Sequence, residues 1–79
     1  MTVTIQKEAS GRVCAVVDHG GLPVPNVAPP GITILQVADT WEFAAKACGK
    51  FHDGTTGKIY DDAAKTKQSA DAPALTAAP

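Results

Sequence analysis

The chain's only cysteines and histidines fall into two close pairs, Cys14 with His19 and Cys48 with His52. The spacings, Cys-x4-His and Cys-x3-His, allow a tetrahedral Cys2His2 zinc site if the fold brings the pairs together. The Cys-x2-Cys knuckle, which presents two thiolates from one tight turn, is missing. Cys14 stands inside a strand-forming run and Cys48 on the apolar face of a short helical pattern, where a free cysteine behaves as a small hydrophobe. Buried thiols are therefore expected over zinc ligands. Cys14, His19, Cys48 and His52 remain a weak candidate set, and no cofactor is expected. Cys48 beside His52 also makes a poor nucleophile. It lies at a helix C-terminus, where the dipole disfavours a thiolate, and no third group orients the imidazole.

Other groupings carry less. Asp61 and Asp62 are consecutive, so a strand would point their carboxylates to opposite faces. They lack the alternate oxygen spacing of a calcium loop, and a solvated strand end or frayed helix start is expected there. Gly49, Gly54 and Gly57 precede Lys58, but the hydroxyls of Thr55 and Thr56 lie before the last glycine and no long helix follows, so the run is not a phosphate loop. Trp41 is the sole tryptophan. Such a residue is either a binding hot spot or the main packing residue of a core poor in aromatics, and burial is the expectation. No catalytic motif emerges, and the chain reads as a non-enzyme.

The elements that must position these residues are legible. Thr2 to Gln6 alternates, with Val3 and Ile5 on one face. Glu8 to Gly11 is a turn signal. Arg12 to Asp18 is a second strand by β-branched content, with Val13, Ala15 and Val17 expected on one face and Cys14 and Val16 on the other. The two runs should pair as an antiparallel hairpin. Ile32 to Ala38 predicts a third strand. Asp39, with Glu42 three residues later, reads as the N-cap of a helix of about nine residues whose apolar face is Trp41, Ala44, Ala45 and Cys48, ended by Gly49. Asp53-Gly54 and Gly57 predict a short hairpin loop, with Phe51 and Tyr60 meeting across the ribbon.

Between the second and third strands lies a Pro- and Gly-rich segment, residues 19–31. Pro23, Pro25, Pro29 and Pro30 remove backbone donors there and exclude a helix or central strand. An extended arm is expected, and its Leu22, Val24 and Val27 are too apolar for a purely solvated linker. They are the candidate binding residues, as an association arm. Residues 63–79 are rich in Ala, Lys, Ser, Thr and Pro with Leu75 as the single large aliphatic residue, which predicts a mobile tail. The expected organisation is thus one small domain over 1–62, of antiparallel hairpins with one short helix (class α+β), followed by that tail.

Seventy-nine residues with seven basic and eight acidic side chains give a net charge of −1. No Lys/Arg cluster faces a row of phosphates, which argues against nucleic-acid binding. The uncharged stretch from His19 to Ala38 is broken by four prolines and three glycines, which argues against a membrane span. The first residues, Met1-Thr-Val-Thr-Ile-Gln-Lys7, lack the order of a secretory signal. A core of about sixty residues is marginal alone, so self-association would help.

The run Gly49-Lys-Phe-His-Asp-Gly-Thr-Thr-Gly-Lys-Ile-Tyr60 resembles a short hairpin element of small virion proteins of tailed bacteriophages, of the form Gly-x-x-Tyr-Asp-Gly-Thr-x-Phe. Phe51 and Asp53-Gly-Thr55 carry the match; His52 stands where an aromatic residue is usual, and Thr56-Gly57 lengthens the turn. The resemblance implies a non-enzymatic structural or accessory subunit of a phage-like particle, in the virion or the host cytoplasm. Its partners would be copies of itself or other virion subunits. The alternatives are a small inhibitor or adaptor that binds one host protein, through an exposed strand edge for example, and a small zinc-stabilised module.

Overall fold

Val3 and Ile5 alternate with threonines along β1 (Thr2–Lys7), and this strand becomes the centre of a three-stranded antiparallel sheet of order β2-β1-β3. Its neighbours are β2 (Val13–Gly20) and β3 (Thr33–Val37). A helix α1 (Trp41–Ala45) follows, then a two-stranded ribbon, β4 (Phe51–His52) with β5 (Ile59–Tyr60). The computed structural model describes residues 2–24 and 27–78. Antiparallel sheets with a single short helix among the described residues make this a small α+β fold.

The register along β2 corrects the faces read from simple alternation. Gln6 opposes Ala15 and Lys7 opposes Val13, so Cys14 is an extra residue, a β-bulge. The bulge turns Val13 onto the side of Val16 and Ile5, where Val13 is fully buried and Val16 packs against the core. A second register shift leaves His19 as the extra residue between Asp18 and Gly20.

The helix differs from expectation in cap, length and face. Thr40, in an extended conformation, is the N-cap and accepts from the Phe43 amide. The Asp39 carboxylate instead accepts from the Thr76 amide at 2.7 Å. After Ala45 the chain continues through i→i+3 bonds at Ala47, Cys48 and Lys50 rather than as α-helix. A three-residue repeat buries Ala44 and Ala47 together and swings Cys48 outward. Two alanines at the contact let the helix backbone lie close to β1 and β2. Trp41 is 42% exposed, against the expectation of burial.

The hairpin forms as expected, with Phe51 opposite Tyr60. Its loop is held by the Asp53 amide on the Lys58 carbonyl, the Gly57 amide on the Asp53 carbonyl, and the Thr55 amide on the Asp53 side chain. The ribbon docks on the start of β2. Arg12 bridges Phe51, the Val13 amide donates to the Lys50 carbonyl, and the His52 amide donates to the Gly11 carbonyl.

Residues 63–78, expected as a mobile tail outside a 1–62 domain, pack on the body. Asp62 holds the turn by accepting from the Thr66 hydroxyl and from the Thr66 and Lys67 amides. Tyr60 bridges Gln68, and the Ser69 amide donates to the Ile59 carbonyl. Ala72 is fully buried and Leu75 is 3% exposed. Ala74 then bridges Lys58, Ala77 bridges Val37, and the Ala38 amide donates to the Thr76 carbonyl. Backbone hydrogen bonds thereby run from β3 through β1, β2, β4 and β5 to the C-terminal segment and back to β3. Composition understated this segment because one leucine suffices when flanking alanines fit a surface already formed, and the backbone bonds do the rest.

Two substitutions test the closure. Leu75→Ala should lower unfolding free energy by about 2–5 kcal/mol, as emptied aliphatic sites do; a urea midpoint matching wild type would place the segment outside the cooperative unit. Gly57 has φ +77°, and a Cβ there would lie 2.7 Å from the Leu75 carbonyl oxygen. Gly57→Ala should therefore cost about 1–3 kcal/mol in the same measurement.

Candidate functional site

The core-side row of β1 ends not in an apolar residue but in Lys7, two positions beyond Ile5. A lysine there buries its aliphatic stem and carries its ammonium to the rim. The Lys7 ammonium meets His52 Nδ1 at 2.9 Å. His52 is 2% exposed, fixed by β4 and by its amide bond to Gly11. Lys65 comes from a different direction. It sits in the left-handed region at φ 58°, and its ammonium passes 3.7 Å from the Cβ position of Gly11. A lysine in that conformation is held by its surroundings, here the Asp62 turn.

Burial, then repulsion from Lys7, lowers the His52 pKa to about 4, with Asp53 opposing and Lys65 reinforcing. Burial and the Lys65 charge lower that of Lys7. At neutral pH the imidazole is uncharged, Nδ1 accepts from Lys7, and Nε2 carries the proton. Beside this cluster opens a groove of about 380 Å³ between the hairpin loop at 54–57 and the segment 74–77, with Leu35 and His52 in its walls.

The sequence-derived candidates are dispersed. Cys14 is exposed on its bulge, its thiol donating to the Gln6 carbonyl at 3.3 Å. His19 turns to Thr4, with Nε2 and Oγ1 2.7 Å apart, and helps bury that threonine. Cys48 is exposed at the end of the helical turn, and His52 is bound to Lys7. Both thiols are exposed where burial was expected: the bulge displaces one and the tightened helix the other. Among the described residues no three of His, Cys, Asp or Glu gather as a metal site would require. Asp61 pairs with Lys50 at 2.7 Å.

The arm is shorter than composition suggested, because β2 runs on through His19 to Gly20. Beyond it Leu22 is 71% and Val27 79% exposed, while Val24 is half-buried. Turns at both ends, Leu22 amide to His19 carbonyl and Ile32 amide to Pro29 carbonyl, set the segment off from the sheet. Pro25 and Asn26, part of the expected arm, lie outside the described residues. No helix of the described residues is long and apolar enough to cross a membrane.

Comparison with protein-family models, curated proteins and solved structures gives no match. The functional reading rests on this chain's own geometry. Sequence reasoning missed Lys7 and Lys65 because their partner His52 is distant in sequence. The one local signal was a charged residue continuing the Val3–Ile5 row.

The His52 environment makes a signed prediction. Its folded pKa, about 4, lies below the ordinary value of 6.5, so only the unfolded chain takes up this proton between those values. The contribution is complete above pH 6.5 and is lost as pH falls toward 4, by about 3 kcal/mol over that window. NMR titration should find the His52 ring uncharged at pH 5; a midpoint near 6.5 would contradict the buried geometry.

Proposed function

We propose that this protein is a non-enzymatic structural or accessory subunit that works by self-association, and that the arm around Leu22, Val24 and Val27 supplies the contact. The observation that carries the reading is the exposure of Leu22 and Val27, which with Trp41 are the exposed large hydrophobics among the described residues. Leu22 and Val27 lie on one short segment, and apolar side chains exposed together are surface that a partner can cover. Prolines around the arm already restrict the unfolded chain, so docking it costs less entropy than ordering a flexible loop. The resemblance of residues 49–60 to phage virion hairpins makes a phage-like particle the setting, with other copies or other virion subunits as partners.

An adaptor or inhibitor would act differently, by adding a partner strand to an exposed edge. β2 lies at the edge of its sheet, and beyond Val13 its outer side pairs with nothing among the described residues. Bulges at Cys14 and His19 interrupt that edge, and such interruptions discourage strand addition. Side-chain contact through the arm is the better-supported mode.

Light scattering on the eluting protein should show an oligomer, and changing Leu22, Val24 and Val27 together to Ser should shift it toward monomer while circular dichroism stays native. A wild-type chain that remains monomeric at all accessible concentrations would favour the adaptor reading. Loss of secondary structure in the triple variant, with no separate effect on size, would place the arm in the subunit's own core.

A further inference from the structure

Independently of the arm, the two exposed cysteines stand beside each other across one backbone hydrogen bond, although they are far apart in sequence. Cys48 ends the helical turn, and Cys14 follows Val13 in β2. The Gly49 amide donates to the Val13 carbonyl at 2.7 Å, and the Val13 amide donates to the Lys50 carbonyl at 2.7 Å. Gly49 and Lys50 thus oppose Val13 together, with Gly49 in the left-handed region at φ 84°, as the glycine of a β-bulge is. The bulge lets the chain leave the helical turn and pair with β2 at once. The residue before Gly49 therefore comes to face the residue after Val13.

Peptide geometry limits how far apart the two can be. Trans peptides put the Cys48 Cα on the N–H side of Gly49 and the Cys14 Cα on the C=O side of Val13. Standard covalent lengths across that bond leave at most about 8 Å between the Cα atoms, and a near-linear bond brings them to about 6 Å. In a regular antiparallel ladder the same position is a non-hydrogen-bonded pair, about 4.5 Å apart. A disulfide takes Cα separations of about 4.4–6.8 Å. The side chains also share a side. Val13 and Ala47 are fully buried in one core, and Cys14 and Cys48, next to them in the chain, are both exposed. The Cys14 thiol makes a weak bond to the Gln6 carbonyl at 3.3 Å, which a turn about χ1 releases.

We infer that Cys14 and Cys48 are a dithiol–disulfide pair that closes by exchange with a small-molecule disulfide such as oxidised glutathione. One protein thiolate attacks a glutathione sulfur and expels the first glutathione thiolate, leaving a mixed disulfide. The other protein thiolate attacks the cysteine sulfur of that mixed bond, forms the Cys14–Cys48 bond and expels the second glutathione. Two protein thiols are oxidised, one external disulfide is reduced, and the two thiol protons end on the two glutathiones. The bond staples the end of the helical turn to β2 and closes a loop that contains the arm and β3.

The test incubates the full, reduced chain with oxidised glutathione at about pH 8, where ordinary thiols are partly ionised, and follows the products by mass after acid quenching. Trypsin releases Cys14 in peptide 13–46 and Cys48 in peptide 47–50, and these should be found joined. The mixed disulfide should close at least about tenfold faster in the folded chain than in denaturing urea, because the fold holds the second thiol in place. Cys14→Ser and Cys48→Ser, at exposed positions, should each stop at one bound glutathione. The closed wild type should have a urea midpoint about 1–3 M above the reduced form, from the constraint on its unfolded chain. An unreacted chain, two bound glutathiones or a disulfide-linked dimer overturns the proposal. So does closure no faster in the folded chain than in urea. A joined peptide whose midpoint fails to rise overturns it as well, by showing a bond made only through distortion of the turn.

Discussion

The C-terminal segment over 74–78 is bonded on both sides by backbone, and the rest of the molecule depends on that. On one side Ala74 bridges Lys58 and the Leu75 amide donates to the Gly57 carbonyl. On the other, Ala38 donates to Thr76, Ala77 bridges Val37, and Ala78 donates to Gln36. Beside the three-stranded sheet the ribbon is not self-sufficient: two strands of two residues each are below what stands alone in water. Tying them together lets Val3, Ile5, Val13, Val37, Ile59 and Leu75 enclose one core. The approach is so close that Gly57 has no room for a side chain beneath the Leu75 carbonyl.

The same closure creates the cluster at Lys7. A lysine at the end of a core-facing row must lead its charge out of the apolar interior, and the hairpin provides the only described acceptor, His52 Nδ1. An uncharged, buried imidazole is the form compatible with an ammonium at 2.9 Å. The histidine is therefore fixed in tautomer as well as position. The bonds that order the segment also shape a wall of the groove beside it.

The surfaces left over set how such a body meets others. Backbone bonding around the circuit uses most of the strand edges, and the part of β2 that stays free is broken by two bulges. What remains uncovered is side-chain surface: Leu22 and Val27 on the arm, and the indole of Trp41 at the head of α1.

Local pattern by itself determined strands over 2–6, 12–18 and 32–38, within two residues of the observed ends, the hairpin with Phe51 across from Tyr60, and a short helix after Asp39, because alternation, turn residues and capping residues act between near neighbours. It did not reveal that Cys14 and His19 are bulge residues, since nothing in the strand itself says that Lys7 must oppose Val13. Nor did it show that Asp39 binds the Thr76 amide while Thr40 caps, or that Trp41 faces outward and Ala47 inward. The largest difference is residues 63–78. Composition measures how much apolar surface a segment carries, and this one carries little. Whether it orders depends instead on a surface that small residues such as Ala72 and Ser69 can fit and on unpaired strand edges its backbone can bond, and both exist only once the rest of the chain has folded.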